Sequence, residues 1–387
     1  MKVVQGCDGE DYEALLGLCW LGLSGAGPVG RSVREHGAAR LWRASRAKLV
    51  RWGLNPDYVD AFIEGRGSFR TCDAETHLRE CGQTFVPRGG PSYPEELGHL
   101  QNPPLGLFLR GRSEILRRIL AFPRMTVVGT RRASPEGMRA AESFVEALVA
   151  RGVVVVSGMA LGIDGQAHRT ALRQDGLTIA VLGCGVDVVY PPRHRSLREA
   201  IVGRGVVASE LPPGTRPSRW AFPHRNRLLA ALGDAVLVVE GARTSGAMQT
   251  AKCALDIGRP VFAVPGSIYR EACEGCNSLL SDGAAPALVP DVMVEEFLWQ
   301  TRIERGARQA TDGTRAAAGE QSSFLGIEGL DESSRAVLGA LRDGPAAFDK
   351  LASLTGLAAG RLGAALGELE TAGLVVRGGP GIYLRAP

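Results

Sequence analysis

Six short runs that are apolar almost throughout recur in one stretch of this chain: MTVVG from Met125, VVVVSG from Val153, TIAVLG from Thr178, VVASE from Val206, AVLVVE from Ala235 and PVFAVPG from Pro260. A strand with one face in water alternates apolar and polar residues, whereas a strand apolar on both sides must be covered on both. Helical patterns separate most of the runs. Ser134 and Pro135 supply an N-cap and a first-turn proline for a helix through Ala140, Phe144, Leu148 and Val149. Asp164 is read as the cap of another, through His168 and Leu172. Strands of this kind alternating with helices predict a parallel sheet. The expected fold class is α/β, a Rossmann-like doubly wound sheet over residues 121–300.

A chain of 387 residues calls for further domains. Tyr12, Leu15, Leu16, Cys19 and Trp20 stand at helical spacing, which predicts an N-terminal helical module over 1–75. Residues 76–120 are proline-rich (GGPSYPEEL, QNPPLGLFLRG) and read as a connector packed on the core. Apolar periodicity vanishes over 301–328, the pattern of a flexible linker. Residues 329–387 pattern as three helices followed by an extended stretch, the organisation of a winged helix.

The rim of the sheet decides what is bound, because ligands of such folds sit at the carboxyl ends of the strands. There the sequence has Gly129-Thr130-Arg131, Ser157-Gly158, Gly183-Cys184-Gly185, Ser209-Glu210, Glu240 through Gly246, and Pro265-Gly266. Small residues let backbone amides approach an anion, and helix N-termini add partial positive charge; the plainer reading is tight strand-to-helix turns. A Gly-x-Gly-x-x-Gly stands at Gly25, Gly27 and Gly30, but helical pattern precedes it and Pro28 lies within it, so the dinucleotide context fails. No phosphate-binding loop of the nucleotide-triphosphatase type occurs. Neither NAD nor ATP is supported, and no cofactor is expected.

Net charge is only +4, so any site for a polyanion must be local. Between Tyr190 and Leu228 it is: Arg193, Arg195, Arg198, Arg204, Arg216, Arg219, Arg225 and Arg227 face only Glu199 and Glu210, with Trp220 and Phe222 interleaved. Arginines for phosphates beside an aromatic face for a base suit a single strand of nucleic acid. The alternative is a solvated loop with a core-facing Phe222.

Catalysis finds little. Asp164 and His168 read as a cap and a packed histidine, Ser157 lacks a nucleophile-elbow setting, and Ser245 reads as a capping serine. Cys273 and Cys276 have metal-ligand spacing, but no second pair completes a site, so they are read as ordinary loop cysteines and no metal is expected. The eight cysteines are scattered as reduced cytosolic thiols would be. Acidic residues near the N-terminus and the absence of a run of about 18 apolar residues predict a soluble, cytoplasmic protein. Leu23 through Gly27 looks like a helix-hairpin-helix turn, which also suits any helical bundle. The third helix of the winged segment carries Arg361 with Glu368 and Glu370, a poor match to a polyanion, so that module reads as a protein contact.

Taken together, the motifs resemble the DNA-processing protein A family (DprA, also called Smf). The likeness runs through Val128-Gly129-Thr130-Arg131, VVSGMALGIDGQAH from Val155, TIAVLGCGVDVVYPP from Thr178, SELPPG from Ser209, FPHRNRLLA from Phe222, SGAMQTA from Ser245 and CNSLLSDGA from Cys276. The resemblance implies a homodimer, not an enzyme, that binds single-stranded DNA and loads the RecA recombinase onto it. It implies a role in natural transformation and homologous recombination, protecting incoming DNA and overcoming single-strand-binding protein. It places the DNA site at Gly129, Thr130, Arg131, Ser157, Gly158, Arg219, Phe222, Arg225 and Arg227, with Trp220 as the alternative stacking residue. Arg219 stands where the family often has lysine. Two other readings compete. A nucleotide-hydrolysing relative of the lysine-decarboxylase-like group would show PGGxGTxxE, but Pro265-Gly266 is followed by SIYREACEGC. A transcription regulator would need a more basic winged helix.

Overall fold

The computed structural model describes residues 9–111, 116, 119–302, 331–341, 346–371, 375–379 and 382–385. Contacts divide it into two units, Met1–Gln309 and Ala310–Pro387.

The first unit is built on a nine-stranded sheet in the order β1-β2-β6-β5-β4-β3-β7-β8-β9. Its strands are β1 (Gln83–Pro87), β2 (Gly106–Gly111), β3 (Arg124–Val128), β4 (Val154–Ser157), β5 (Thr178–Val181), β6 (Val206–Ser209), β7 (Ala235–Val238), β8 (Val261–Ala263) and β9 (Ala285–Pro286). All six apolar runs are strands, and β3 to β8 are buried at every position. From β6 to β9 every pairing is parallel. The chain lays β3 to β6 in one direction and then returns past β3 to place β7, β8 and β9 on its other side. The order therefore reverses between β3 and β7, which opens a crevice above their carboxyl ends.

Helices cover both faces. One core layer joins Val128, Val154, Val156 and Val236 to Leu228, Leu229 and Leu232 of the helix Ala221–Leu232 and to Ala251 and Ala254 of Gly246–Asp256. On the other face Met125, Val127, Val155 and Leu237 pack against Phe144, Val145 and Leu148 of the helix Pro135–Ala150. Ser134 caps that helix, its Oγ accepting from Gly137 N at 3.0 Å.

The expected connector over 76–120 instead supplies β1 and β2. They pair antiparallel with each other and with β6, so the sheet gains an edge that the apolar runs did not announce. Phe85 and Phe108 on these strands share one core with the N-terminal helices, from Leu15 and Leu16 to Val59 and Phe62, and with Leu182, Leu197 and Val207. The Gly25 turn between Gly9–Trp20 and Gly27–His36 faces protein: a Cβ there would overlap the Pro103 carbonyl, and one at Gly30 the Gly25 carbonyl. Packing thus explains those two of the three motif glycines.

A buried ionic group ties the rear of the sheet together. Arg124 is buried and pairs through Nη2 with Glu96 and, at 3.2 Å, with Asp234, whose other oxygen accepts from Arg124 N at 2.9 Å.

The second unit has helices Glu332–Ala340, Phe348–Thr355 and Ala359–Thr371 and a three-stranded sheet of β10 (Ala346–Ala347), β12 (Ile382–Arg385) and β11 (Val375–Gly379), in that order. Val337, Leu351, Leu362, Leu366 and Leu369 form its core. The linker expected over 301–328 lies, apart from Thr301 and Arg302, outside the described residues. Among the described residues no helix is long and apolar enough to cross a membrane.

Candidate functional site

Above β3 and β7 lies a cleft of about 650 Å3. Gly129, Thr130, Arg131 and Arg132 of the β3 turn form one wall; Ser245, Gly246 and Ala247, opening the helix Gly246–Asp256, form another. Arg219 and Phe222 come from the start of the helix Ala221–Leu232, Tyr190 from the loop after β5, and Asp164 and Arg225 lie at the floor. A smaller recess lies alongside, lined by Gly158, Met159, Leu182 and Cys184, and shares Arg131, Tyr190, Phe222 and Arg225 with the cleft.

Of the nine residues expected in the site, seven line these two hollows and two do not. Ser157 is fully buried, its Oγ donating to Val127 O at 2.7 Å, so its hydroxyl serves the sheet. Arg227 turns away from the cleft: its Nη2 donates to both Glu210 oxygens, at 2.9 and 2.6 Å. Glu210 is itself buried. Burial alone would raise its carboxyl, but hydrogen bonding to His224 and the Arg227 charge bring it below its ordinary value.

Arg225 is present but not free. It is buried, and its Nη1 donates to Gly158 O at 2.9 Å and to Val181 O. Burial lowers its pKa to about 10, opposed by neighbouring Asp164, so it stays charged at neutral pH. Asp164 is not the cap of the helix Ile163–Arg173; its Oδ2 accepts from Gly158 N at 3.1 Å and Ala160 N at 3.4 Å. Burial raises this carboxyl, against the pull of Arg225. A Cβ on Gly158 would come within 2.6 Å of the Arg225 guanidinium and 2.7 Å of the Asp164 carboxylate. These two side chains therefore account for that glycine, and Ile163, 2.5 Å from a Cβ on Gly129, accounts for the other.

Two of the amide cradles expected to receive a ligand anion are thus filled by the protein. Asp164 takes the β4 turn, and buried Glu240 takes the entry to the helix Pro135–Ala150, accepting from Ser134 N at 2.9 Å. The sequence reading missed Glu240 in this role, because one acid in a turn has no spacing to betray it.

What stays open to solvent is more selective. Arg131, Arg132 and Arg219 are exposed and, among the described residues, none pairs with a carboxylate. Ser245 sits at the N-cap but makes no capping bond, and its Oγ is buried without a partner. The N-terminal end of Gly246–Asp256 thus lines the cleft with its first amides not capped by a side chain. Phe222 is half-buried and already engaged, with the Arg131 guanidinium 5.2 Å from its ring centre and the Tyr190 ring 5.4 Å away. Trp220, 61% exposed, offers the freer aromatic surface.

The other candidates fall outside the site. His168 is a core residue, its Nδ1 2.7 Å from Thr178 Oγ1. Cys273 and Cys276 lie not in a loop but on the helix Glu271–Ser281, both buried.

Residues 84–298 match the family described as DNA recombination-mediator protein A, and residues 326–381 match the DprA winged helix domain. The chain belongs to the DprA/Smf family. Protein Smf of Synechocystis sp. is 32% identical over 378 residues, spanning 92% of this chain and 95% of that protein. DprA of Streptococcus pneumoniae is 40% identical over 205 residues, 53% of this chain and 71% of that one. Among solved structures, the X-ray structure of that pneumococcal DprA aligns with a TM-score of 0.59 at 30% identity, covering 74% of this chain and 94% of the other. A DprA from Helicobacter pylori, described for its single-stranded DNA binding mode, aligns with a TM-score of 0.51 at 28% identity, covering 56% and 96%. Membership of the DprA/Smf family rests on the sheet that carries the cleft, since the first match runs from within β1 to beyond β9.

Proposed function

We propose that this protein binds single-stranded DNA in the cleft above β3 and β7. The observation that carries this reading is the combination of three solvent-facing arginines, Arg131, Arg132 and Arg219, with the open helix N-terminus at Ser245. Phosphates supply the negative charge that this set lacks. The acids nearby are partly offset, Asp164 by the Gly158 and Ala160 amides and Glu240 by the Ser134 amide and by Arg270 at 3.6 Å. Among the described residues lining the cleft the one acid, Asp164, is held by the Gly158 and Ala160 amides, which favours a binding protein over an enzyme, and no cofactor enters this reading. In keeping with the family's description as a recombination mediator, the DNA-bound protein serves recombination. It protects incoming strands, displaces single-strand-binding protein and loads RecA in the cytoplasm. Leu288, Val292 and Trp299, which follow the edge strand β9 in the chain, are exposed apolar side chains suited to contact with a second copy, which supports a homodimer. The winged helix serves as a protein contact.

Affinity for unstructured oligonucleotides is expected to exceed that for duplex and to fall steeply with salt. Each phosphate contact contributes about 0.7 to the logarithmic salt slope on a single strand. Arg131→Ala should weaken binding and lower that slope while melting like the parent. Fluorescence titrations across a salt series check this; a salt-insensitive affinity or a preference for duplex overturns the reading.

The aromatic residues separate by exposure. Trp220→Ala should weaken binding by about 1–3 kcal/mol, the worth of a base stack, with slope and melting unchanged. Parent-like affinity in that variant would remove Trp220 as the base platform and return the role to Phe222 or Tyr190.

A further inference from the structure

Between Arg31 and Arg51 the chain carries seven arginine or lysine residues against one glutamate, more charge than the net +4 of the whole protein. This segment forms the helices Gly27–His36, Ala38–Trp42 and Arg46–Arg51 of the N-terminal region. Arg43 and Arg46 are paired with Glu10 and Asp60. Arg31, Arg34, Arg40, Lys48 and Arg51 are exposed, and among the described residues none of the five pairs with a carboxylate. Val29 and Val33 bury the inner face of the first helix, which leaves Arg31 and Arg34, one turn apart, directed outward.

The sheet fixes where these charges lie. β1 pairs antiparallel with β2, and β2 with β6, so β1 runs in the direction of β6 and ends on the same rim as the cleft. Arg88 follows β1 directly, and Arg34 is close enough for its charge to act on Arg88. Arg34 also donates through Nη1 to Gln101 O at 3.4 Å. Tyr93 feels the charges of Arg88, Glu210 and Arg227, and His224 lies 3.3 Å from Glu210 and beside the Trp220 ring. Five strand spacings separate β1 from β3, which is about 24 Å at ~4.8 Å each. That span corresponds to about seven nucleotides at the ~3.4 Å stacked rise, and to fewer in an extended strand.

We propose that Arg31 and Arg34 form a second phosphate-binding surface, and that one DNA strand seated in the cleft continues along the rim past Trp220 to reach it. The inference rests on the reading of the cleft as a single-strand site. Its signature is a dependence on length. A short strand fills the cleft alone, whereas a longer one gains the second contact.

The test compares the full chain with Arg31→Ala/Arg34→Ala on oligothymidines of about 4 and about 16 nucleotides. With the longer strand the variant should bind more weakly, with a salt slope lower by about 0.7 per arginine removed. With the shorter strand it should match the parent, and melting should not change because both side chains are exposed. Equal affinity and slope for the longer strand overturn the proposal. So does a loss that is the same for both lengths, which would place the two arginines in the field of the cleft itself. Failure of the parent chain to bind either oligonucleotide sinks the cleft reading and this inference with it. Binding of the shorter strand combined with no effect of the variant sinks this inference alone.

Discussion

Arg225→Ala is expected to cost about 3 kcal/mol of stability, since each buried group stripped of its hydrogen-bond partner costs about 1–3 kcal/mol. The substitution strands the Asp164 carboxylate in the interior and leaves the Gly158 and Val181 carbonyls without their donor. Arg227→Ala should behave similarly, since it leaves buried Glu210 with only His224 for company. Arg131→Ala, by contrast, removes an exposed charge and should unfold at the parent's urea midpoint. Three arginines within reach of one rim thus divide into two held by buried partners and one left facing solvent. Urea titrations of the three variants check this division. An Arg225→Ala protein as stable as the parent would show that the guanidinium does not hold the Gly158 and Val181 carbonyls as described here.

The second large effect is a loss of stability in acid that is traceable to one histidine. Burial pushes the His168 pKa down to about 3, with the charges of His194, Arg169 and Arg225 adding to the effect. The unfolded chain takes up a proton near pH 6.5, whereas the folded protein refuses it until far lower. The sign follows: this contribution is fully present above about pH 6.5 and is lost progressively as the pH falls toward 3. At about 1.4 kcal/mol per pH unit the loss reaches about 3 kcal/mol by pH 4. His168→Asn removes the titrating group while keeping a donor for Thr178. Its stability should fall less steeply than the parent's over the same range, with a difference of about one proton in the slope. Parallel loss in both proteins would mean that His168 is not held neutral.

The central sheet was legible because burial on both faces writes itself into composition: a run such as VVVV leaves no other reading. β1 and β2 were not. QTFVP and GLFLRG are short, bounded by glycine and proline, and pair antiparallel at the end of a sheet that is otherwise parallel. The cleft was legible as a rim of small and basic residues, but a sequence shows the type of a residue and not its partner. Arg225 could have been recognised as internal: it falls on one helical stripe with Ala221, Leu228, Leu229 and Leu232, all buried. Arg227 lies off the strongest part of that stripe, and only the carboxylate delivered by β6 explains it. Ser245 shows the opposite error. A serine before a helix reads as a cap, whereas here the hydroxyl makes no capping bond and is buried without a partner.

The shared core between the N-terminal helices and the β1–β2 edge has a practical consequence for dissecting this protein by truncation. Cutting the chain near residue 75 would not release an independent module. It would uncover Phe85 and Phe108 together with Leu182, Val207 and Leu197, a greasy surface on a sheet that had been sealed. Such a fragment should self-associate and invite proteolysis. A shortened chain that fails to bind DNA would then be reporting its own aggregation, so the N-terminal region is better probed by point substitutions on its outer surface.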